Sequence, residues 1–202
     1  MSAIPHKIHV VDDDPAVRDA LTLLFETEGF DVSAFVDAEQ FLANVANDKP
    51  ACVLLDVHMP GRSGIDILKT LHAEHFEAPI FIISGQGDIP MAVEAIKSGA
   101  YDFFEKPFDV ESVISHVREA IAATSKGGDA GLGNFPGAET LTPRERQVLK
   151  EITSGASNKE AGRNLKISPR TVEVHRARIM EKLGARNAAD LVRIVLTGEN
   201  PA

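Results

Sequence analysis

The chain has 202 residues, enough for one large or two modest domains, each able to bury a core. No stretch approaches the roughly 20 apolar residues of a membrane span, and the N-terminus lacks the charged, apolar and small-residue order of a signal peptide; a cytoplasmic protein without a membrane partner is expected. The net charge of −9 argues against nucleic acid only until it is divided: residues 1–126 carry 9 Lys+Arg against 21 Asp+Glu, whereas residues 138–202 carry 12 against 8.

Residues 1–124 alternate strand-like apolar runs with amphipathic helical patterns. The runs Lys7 to Val11, Val32 to Phe35, Cys52 to Leu55, Ile80 to Ile83 and Tyr101 to Phe104 are the expected strands. Five strand–helix units of this spacing predict an α/β fold, a doubly wound five-stranded parallel sheet. Cys52 lies inside an apolar run and is expected to be core packing rather than a reactive thiol. Residues 125–140, with five Gly and one Pro between Thr124 and Thr140, read as a flexible linker.

Residues 141–202 read as all-helical. Thr142-Pro143-Arg144-Glu145 and Ser157-Asn158-Lys159-Glu160 have the form of capping boxes, and Ser168-Pro169 and Asn187 are further helix starts. Four short helices, with a brief connection from Asn164 to Ser168, have the spacing of a helix-turn-helix.

The run Asp12-Asp13-Asp14 directly follows the first expected strand, and Asp56 ends the third. Adjacent carboxylates repel, so a positive partner is implied. If those strands are neighbours, Asp12, Asp13 and Asp56 meet at one rim and suit a hard divalent cation such as Mg²⁺; the bland alternative is that each caps a loop. Ser84 and Lys106 end two further strands. Carboxylates, a hydroxyl and a lysine suit phosphoryl transfer, with Asp56 as nucleophile. Asp14, before Pro15, is placed as a helix N-cap rather than a metal ligand.

The motifs VVDDD, LLDVHMPG, ISG and EKPF, in this order over residues 7 to 122, resemble the receiver domain of two-component response regulators, and GDIPMAVEAI resembles the FixJ branch. The resemblance implies a flavodoxin-like receiver in which Asp56 is the phosphoacceptor. Mg²⁺ would be held by Asp12, Asp13, Asp56 and the backbone carbonyl of His58, while the His58 side chain faces solvent. Lys106 would contact the phosphoryl oxygens, and Ser84 and Phe103 would form the switch; Tyr101 falls at the wrong offset. It also implies a cis Lys106–Pro107 bond. Gln86 would lie near the phosphate.

On a helical wheel, Pro169 to Leu183 puts Val172, His175, Ile179 and Leu183 on one face and Arg170, Glu173, Val174, Ala177 and Arg178 on the other. Small central residues flanked by arginines suit the major groove, although a solvated charged face is the commoner meaning of such a pattern. The segment from Leu141 resembles the LuxR/NarL-type helix-turn-helix, implying base or phosphate contacts from Lys159, Arg170, Thr171, Glu173, Val174, Ala177, Arg178 and Lys182. The expected partners are a sensor histidine kinase, double-stranded DNA, a second copy of the chain on phosphorylation, and RNA polymerase. An Asp-nucleophile phosphohydrolase and a DNA-binding protein with an unphosphorylated receiver are the rival readings.

Overall fold

The computed structural model describes residues 5–73, 76–85, 89–125, 132 and 135–198. The chain divides into two compact units, Met1–Ala122 and Ala123–Ala202.

In the first unit, β1 (Lys7–Val11), β2 (Asp31–Phe35), β3 (Cys52–Asp56), β4 (Ile80–Ser84) and β5 (Asp102–Glu105) form one parallel sheet in the order β2-β1-β3-β4-β5. β3 and β4 are buried along their whole length and β1 nearly so, which is why their sequences are continuous rather than alternating apolar runs. The edge strand β2 is half-exposed, and its sequence is correspondingly more polar. Helices α1 (Pro15–Thr27), α2 (Ala38–Val45), α3 (Gly64–Ala73), α4 (Ile89–Lys97) and α5 (Val110–Ser125) connect and flank the strands. Ile8, Val10, Leu54, Phe81 and Ile83 pack with Leu21 and Phe25 of α1 and with Val113 and Val117 of α5. Alternation along each strand sends Val11, Val53, Leu55 and Ile82 to the opposite face, where they are also fully buried. Cys52 is buried, and burial pushes its thiol far up from the ordinary range, so it is inert packing as expected.

The second unit holds α6 (Pro143–Thr153), α7 (Asn158–Asn164), α8 (Pro169–Leu183) and α9 (Ala188–Thr197). Each expected start is a working cap. Thr142 and Ser157 make full capping boxes, and Ser168 and Asn187 accept from Thr171 N–H and Asp190 N–H at 3.0 Å each. Val172, His175, Ile179 and Leu183 are buried, as the helical wheel requires.

The expected flexible linker is corrected at both ends. Ser125 is the last residue of α5, while Phe135 and Ala138 are buried in the core of the helical unit, with Leu132 packed against it. Between these ends, residues 126–131, 133 and 134 of the expected linker lie outside the described residues; Gly137 sits at φ +83° with Leu183 Cδ2 only 2.8 Å from where a Cβ would stand, so it serves tight packing rather than freedom.

Candidate functional site

β1 and β3 are neighbours in the sheet, and the winding reverses between them. In such folds the crevice at the carboxyl ends of those strands is the ligand site. Register Val11↔Leu55, Asp56↔Ile83 and Ser84↔Glu105 aligns four strand ends, so Asp12, Asp56, Ser84 and Lys106 reach one rim.

Lys106 is the centre of the arrangement. Its backbone N–H extends the β4–β5 pairing by donating to Ser84 O at 2.8 Å, which fixes where the side chain leaves the sheet. Its Nζ then donates to Asp12 Oδ2 at 2.7 Å and Asp56 Oδ1 at 2.8 Å. The other carboxylate oxygens are also held: Asp12 Oδ1 accepts from Asp14 N–H at 2.9 Å and Asp56 Oδ2 from His58 N–H at 2.6 Å. Arg18 donates to the Asp12 carbonyl at 2.7 Å. The expected cis bond is present between Lys106 and Pro107.

Burial raises the Asp12 carboxyl above its ordinary range, even though Lys106 and the Asp14 N–H pull it down. Burial also acts to depress the Lys106 ammonium, but its hydrogen bonds to Asp12 and Asp56 outweigh it and hold the group above its ordinary value. The asymmetry has a physical cause: the Asp12 side chain is 1 % exposed, whereas that of Lys106 keeps 22 %. The carboxylate loses more water than the ammonium does.

The three aspartates do not converge as expected. Asp12 and Asp56 meet through Lys106, whereas Asp13 is exposed, and among the described residues no three acidic, His or Cys side chains form a ready metal cluster. Like-charge repulsion accounts for this: one ammonium already faces two carboxylates, and a third is better solvated in water. The donor set nonetheless suits Mg²⁺. Asp12, Asp56 and Lys106 leave an excess negative charge on hard oxygen atoms, and Asp13 adds to it at the rim. Asp14 is the N-cap of α1, its Oδ1 accepting from Ala16 N–H at 2.8 Å, as expected.

Ser84 is fully buried, with Oγ 3.4 Å from His58 Nδ1 and 3.5 Å from Met91 Sδ. The His58 side chain is exposed as expected, but its ring reaches Ser84, a proximity that adjacency in sequence could not reveal. Phe104 stacks on Phe81 at 5.3 Å, and Tyr101 is buried beside the same ring, so both belong to the core on the α1 and α5 side. Phe103, half-buried, takes the opposite face of β5. Gln86 lies outside the described residues. Sequence reasoning missed Gly64: a Cβ there would collide with the Asp56 carbonyl, so only glycine lets α3 start against the Asp56 loop.

In the helical unit, Lys159, Arg170, Glu173 and Ala177 are exposed, and Arg170 Nη1 lies 3.1 Å from Glu173 Oε2. Arg163 and Lys166, which are also exposed, add basic charge at the end of α7 and in the turn. Thr171 is half-buried with its hydroxyl 2.9 Å from Ser168 Oγ, and Arg178 is half-buried beside Glu181. Two positions are less open than the wheel suggested. Val174 is only 7 % exposed. Lys182 is turned to Glu145 Oε2 at 2.7 Å and Thr140 O at 3.0 Å, so its charge serves the fold.

A family model described as "Response regulator receiver domain" matches residues 8–118, and one described as "Bacterial regulatory proteins, luxR family" matches residues 139–195. The transcriptional regulatory protein FixJ of Bradyrhizobium diazoefficiens is 42% identical over 94% of this chain and 94% of its own. FixJ of Azorhizobium caulinodans is 43% identical over 96% and 94%. The chain belongs to the two-component response regulators. The crystal structure of full-length FixJ from B. japonicum aligns with a TM-score of 0.60 at 41% identity, covering 95% of this chain and 96% of that one. This response regulator is therefore a receiver domain joined to a LuxR-type DNA-binding domain, homologous to transcriptional regulators. Among the described residues no helix is long and apolar enough to cross a membrane.

Proposed function

We propose that Asp56 accepts a phosphoryl group from the phosphohistidine of a sensor kinase and that the resulting acyl phosphate controls DNA binding. The carrying observation is the Lys106 ammonium held between Asp12 and Asp56 at the β1/β3 crevice. The Asp56 carboxylate oxygen forms the P–O bond while the donor's P–N bond breaks and its imidazole departs with the electron pair. Lys106 then faces a phosphoryl oxygen in place of a carboxylate. Asp12, Asp13, Asp56 and the His58 carbonyl would hold Mg²⁺, which would supply charge neutralisation for the transferring group. The Ser84 hydroxyl turns to the new oxygens, and Phe103 moves with it. Autophosphorylation from a small phosphodonor and slow self-hydrolysis follow from the same groups.

In the proposal, phosphorylated receivers pair as a homodimer that places two helix-turn-helix domains on a two-fold DNA site and presents them to RNA polymerase. Pairing multiplies the few phosphate contacts that one domain makes. The domain limits that go with it are 1–125 for the receiver, to the end of α5, and 135–202 for the DNA-binding domain, whose core includes Phe135 and Ala138. Incubation with acetyl phosphate and Mg²⁺, followed by intact-mass measurement and light scattering, tests the proposal. One added phosphoryl group and a doubled mass are expected for the unaltered chain and neither for Asp56→Asn. Phosphorylation of Asp13→Asn with unchanged Mg²⁺ dependence would show that Asp13 is not a ligand.

A further inference from the structure

The first turn of α6 grips both halves of the helix-turn-helix. Glu145, 3% exposed, completes the capping box by accepting from Thr142 N–H at 2.7 Å, and the same Oε2 takes the Lys182 ammonium at 2.7 Å. Lys182 also donates to Thr140 O at 3.0 Å, so two acceptors, one on each side of the Thr142 cap, close on one ammonium in the last turn of α8. The next residue, Leu183, packs where Gly137 leaves room for no Cβ. One position earlier in the α6 turn, Arg144 is 1% exposed and donates to Leu165 O, the C-cap of α7, at 2.9 Å and to Gln147 Oε1 at 2.7 Å. Adjacent residues of one turn therefore hold the end of α7 and the end of α8.

We propose that Lys182 and Glu145 are positioning residues for DNA reading: their part-buried ion pair fixes the tilt of α8, and Arg144 fixes the α7 end from which α8 departs. Lys182 lies nine residues from Glu173, about 13 Å along the helix axis. A small tilt at that end displaces the exposed Arg170, Glu173 and Ala177 face at the other. Base edges require alignment within hydrogen-bond tolerance, whereas phosphates attract charge over a longer range. Loosening the brace therefore costs sequence selectivity before it costs general affinity. The inference rests on the α8 face reading bases.

The test compares two duplexes of equal length, one selected from a random pool by the unaltered full chain and one scrambled, by fluorescence anisotropy across a salt series. For Lys182→Met the expected result is a loss on the order of tenfold on the selected duplex, with the scrambled duplex and the salt slope unchanged. Glu145→Gln removes a negative charge and should tighten binding to both duplexes on electrostatic grounds alone; the brace predicts weaker binding to the selected one. The double variant should be no worse than either single, and Lys182→Arg should restore selectivity. Equal loss on both duplexes with a salt slope lowered by about one would make Lys182 a phosphate contact and overturn the inference. If Lys182→Met does not fold, the sign of the Glu145→Gln effect decides alone. Should Arg170→Ala and Glu173→Ala leave selectivity intact, the α8 reading itself falls, an outcome distinct from failure of the Lys182 pair.

Discussion

The two units use charge in opposite ways. At the receiver rim the reactive groups are buried and bound to each other across 94 and 50 residues of sequence: Lys106 to Asp12 and Lys106 to Asp56. In the helical unit the buried charges Arg144 and Glu145, with the half-buried Lys182, are structural, and the residues suited to a ligand stay in water, as Lys159, Arg163, Arg170 and Glu173 do. A small phosphoryl group needs a dehydrated pocket in which charge acts at low dielectric, whereas a polyanionic duplex needs unspent charge on an open face. The receiver should therefore respond strongly to the loss of one charge, and the exposed α8 face should hardly change in stability.

The sharpest break of this contrast is Lys106→Met. The substitution leaves two buried carboxylates facing each other without a cation, and a loss of about 3 kcal/mol in receiver stability is expected by urea unfolding. Phosphorylation should disappear with it. Should stability stay within experimental error, the rim is better solvated than its burial implies, and the contrast fails.

Asp12→Asn should move the other way. Because burial holds the Asp12 carboxyl above its ordinary range, the charged form is a cost to the fold at neutral pH, one that starts to lift as pH falls through the raised value and is fully relieved only below the ordinary value of 3.8. Neutralising it by substitution should stabilise the receiver by about 1 kcal/mol while abolishing Mg²⁺-dependent phosphorylation. Stability traded for function marks a site in a way that a structural ion pair does not.

A third case lies outside both sites. His9 is fully buried on β1, its ring edge-on to Phe35 and Phe41, with Nε2 3.4 Å from Asp48 and Nδ1 without a partner among the described residues. Burial holds the imidazole below its ordinary value of 6.5, outweighing the opposing pull of Asp48. Below pH 6.5 the unfolded chain takes up a proton that the folded one resists, so this contribution is present above that pH and is lost as pH falls. Urea midpoints of the unaltered chain should drop between pH 7 and 5 more than those of His9→Phe; parallel curves would remove His9 as the cause.

How much of this was legible in the sequence depended on the range of the interaction. The strands, the capping boxes, the Asp14 cap and the inward face of α8 follow from local periodicity and short-range hydrogen bonds, and the chain displays all of them. The convergence of Asp12, Asp56, Ser84 and Lys106 was legible only as strand ends in an assumed order. That Asp13 stays exposed while Asp12 and Asp56 are buried was not legible, because where each carboxylate settles depends on where Lys106 lands. The burial of Val174 and the Lys182–Glu145 pair were not legible, because a wheel shows which residues share a face but not how far neighbouring segments wrap around it. Gly137 shows the same limit: its sequence reads as slack, and only the Leu183 methyl beside it reveals a fit.

The smallest expected stability effect is at Arg170, and its smallness is informative. The Arg170 and Glu173 side chains are 60% and 57% exposed, and their i,i+3 pair is worth under about 0.5 kcal/mol in water. Arg170→Ala should leave the thermal midpoint of the helical unit nearly unchanged. Its effect on DNA should be much larger, because the guanidinium can leave an exposed carboxylate for a phosphate or a guanine edge at little cost. A fall in affinity for all duplexes with a salt slope reduced by about one would assign it to phosphate, and a fall confined to the selected duplex would assign it to a base. A large loss of stability instead would mean that the exposed pair is structural, and the division of labour between buried and exposed charge would no longer separate the two units.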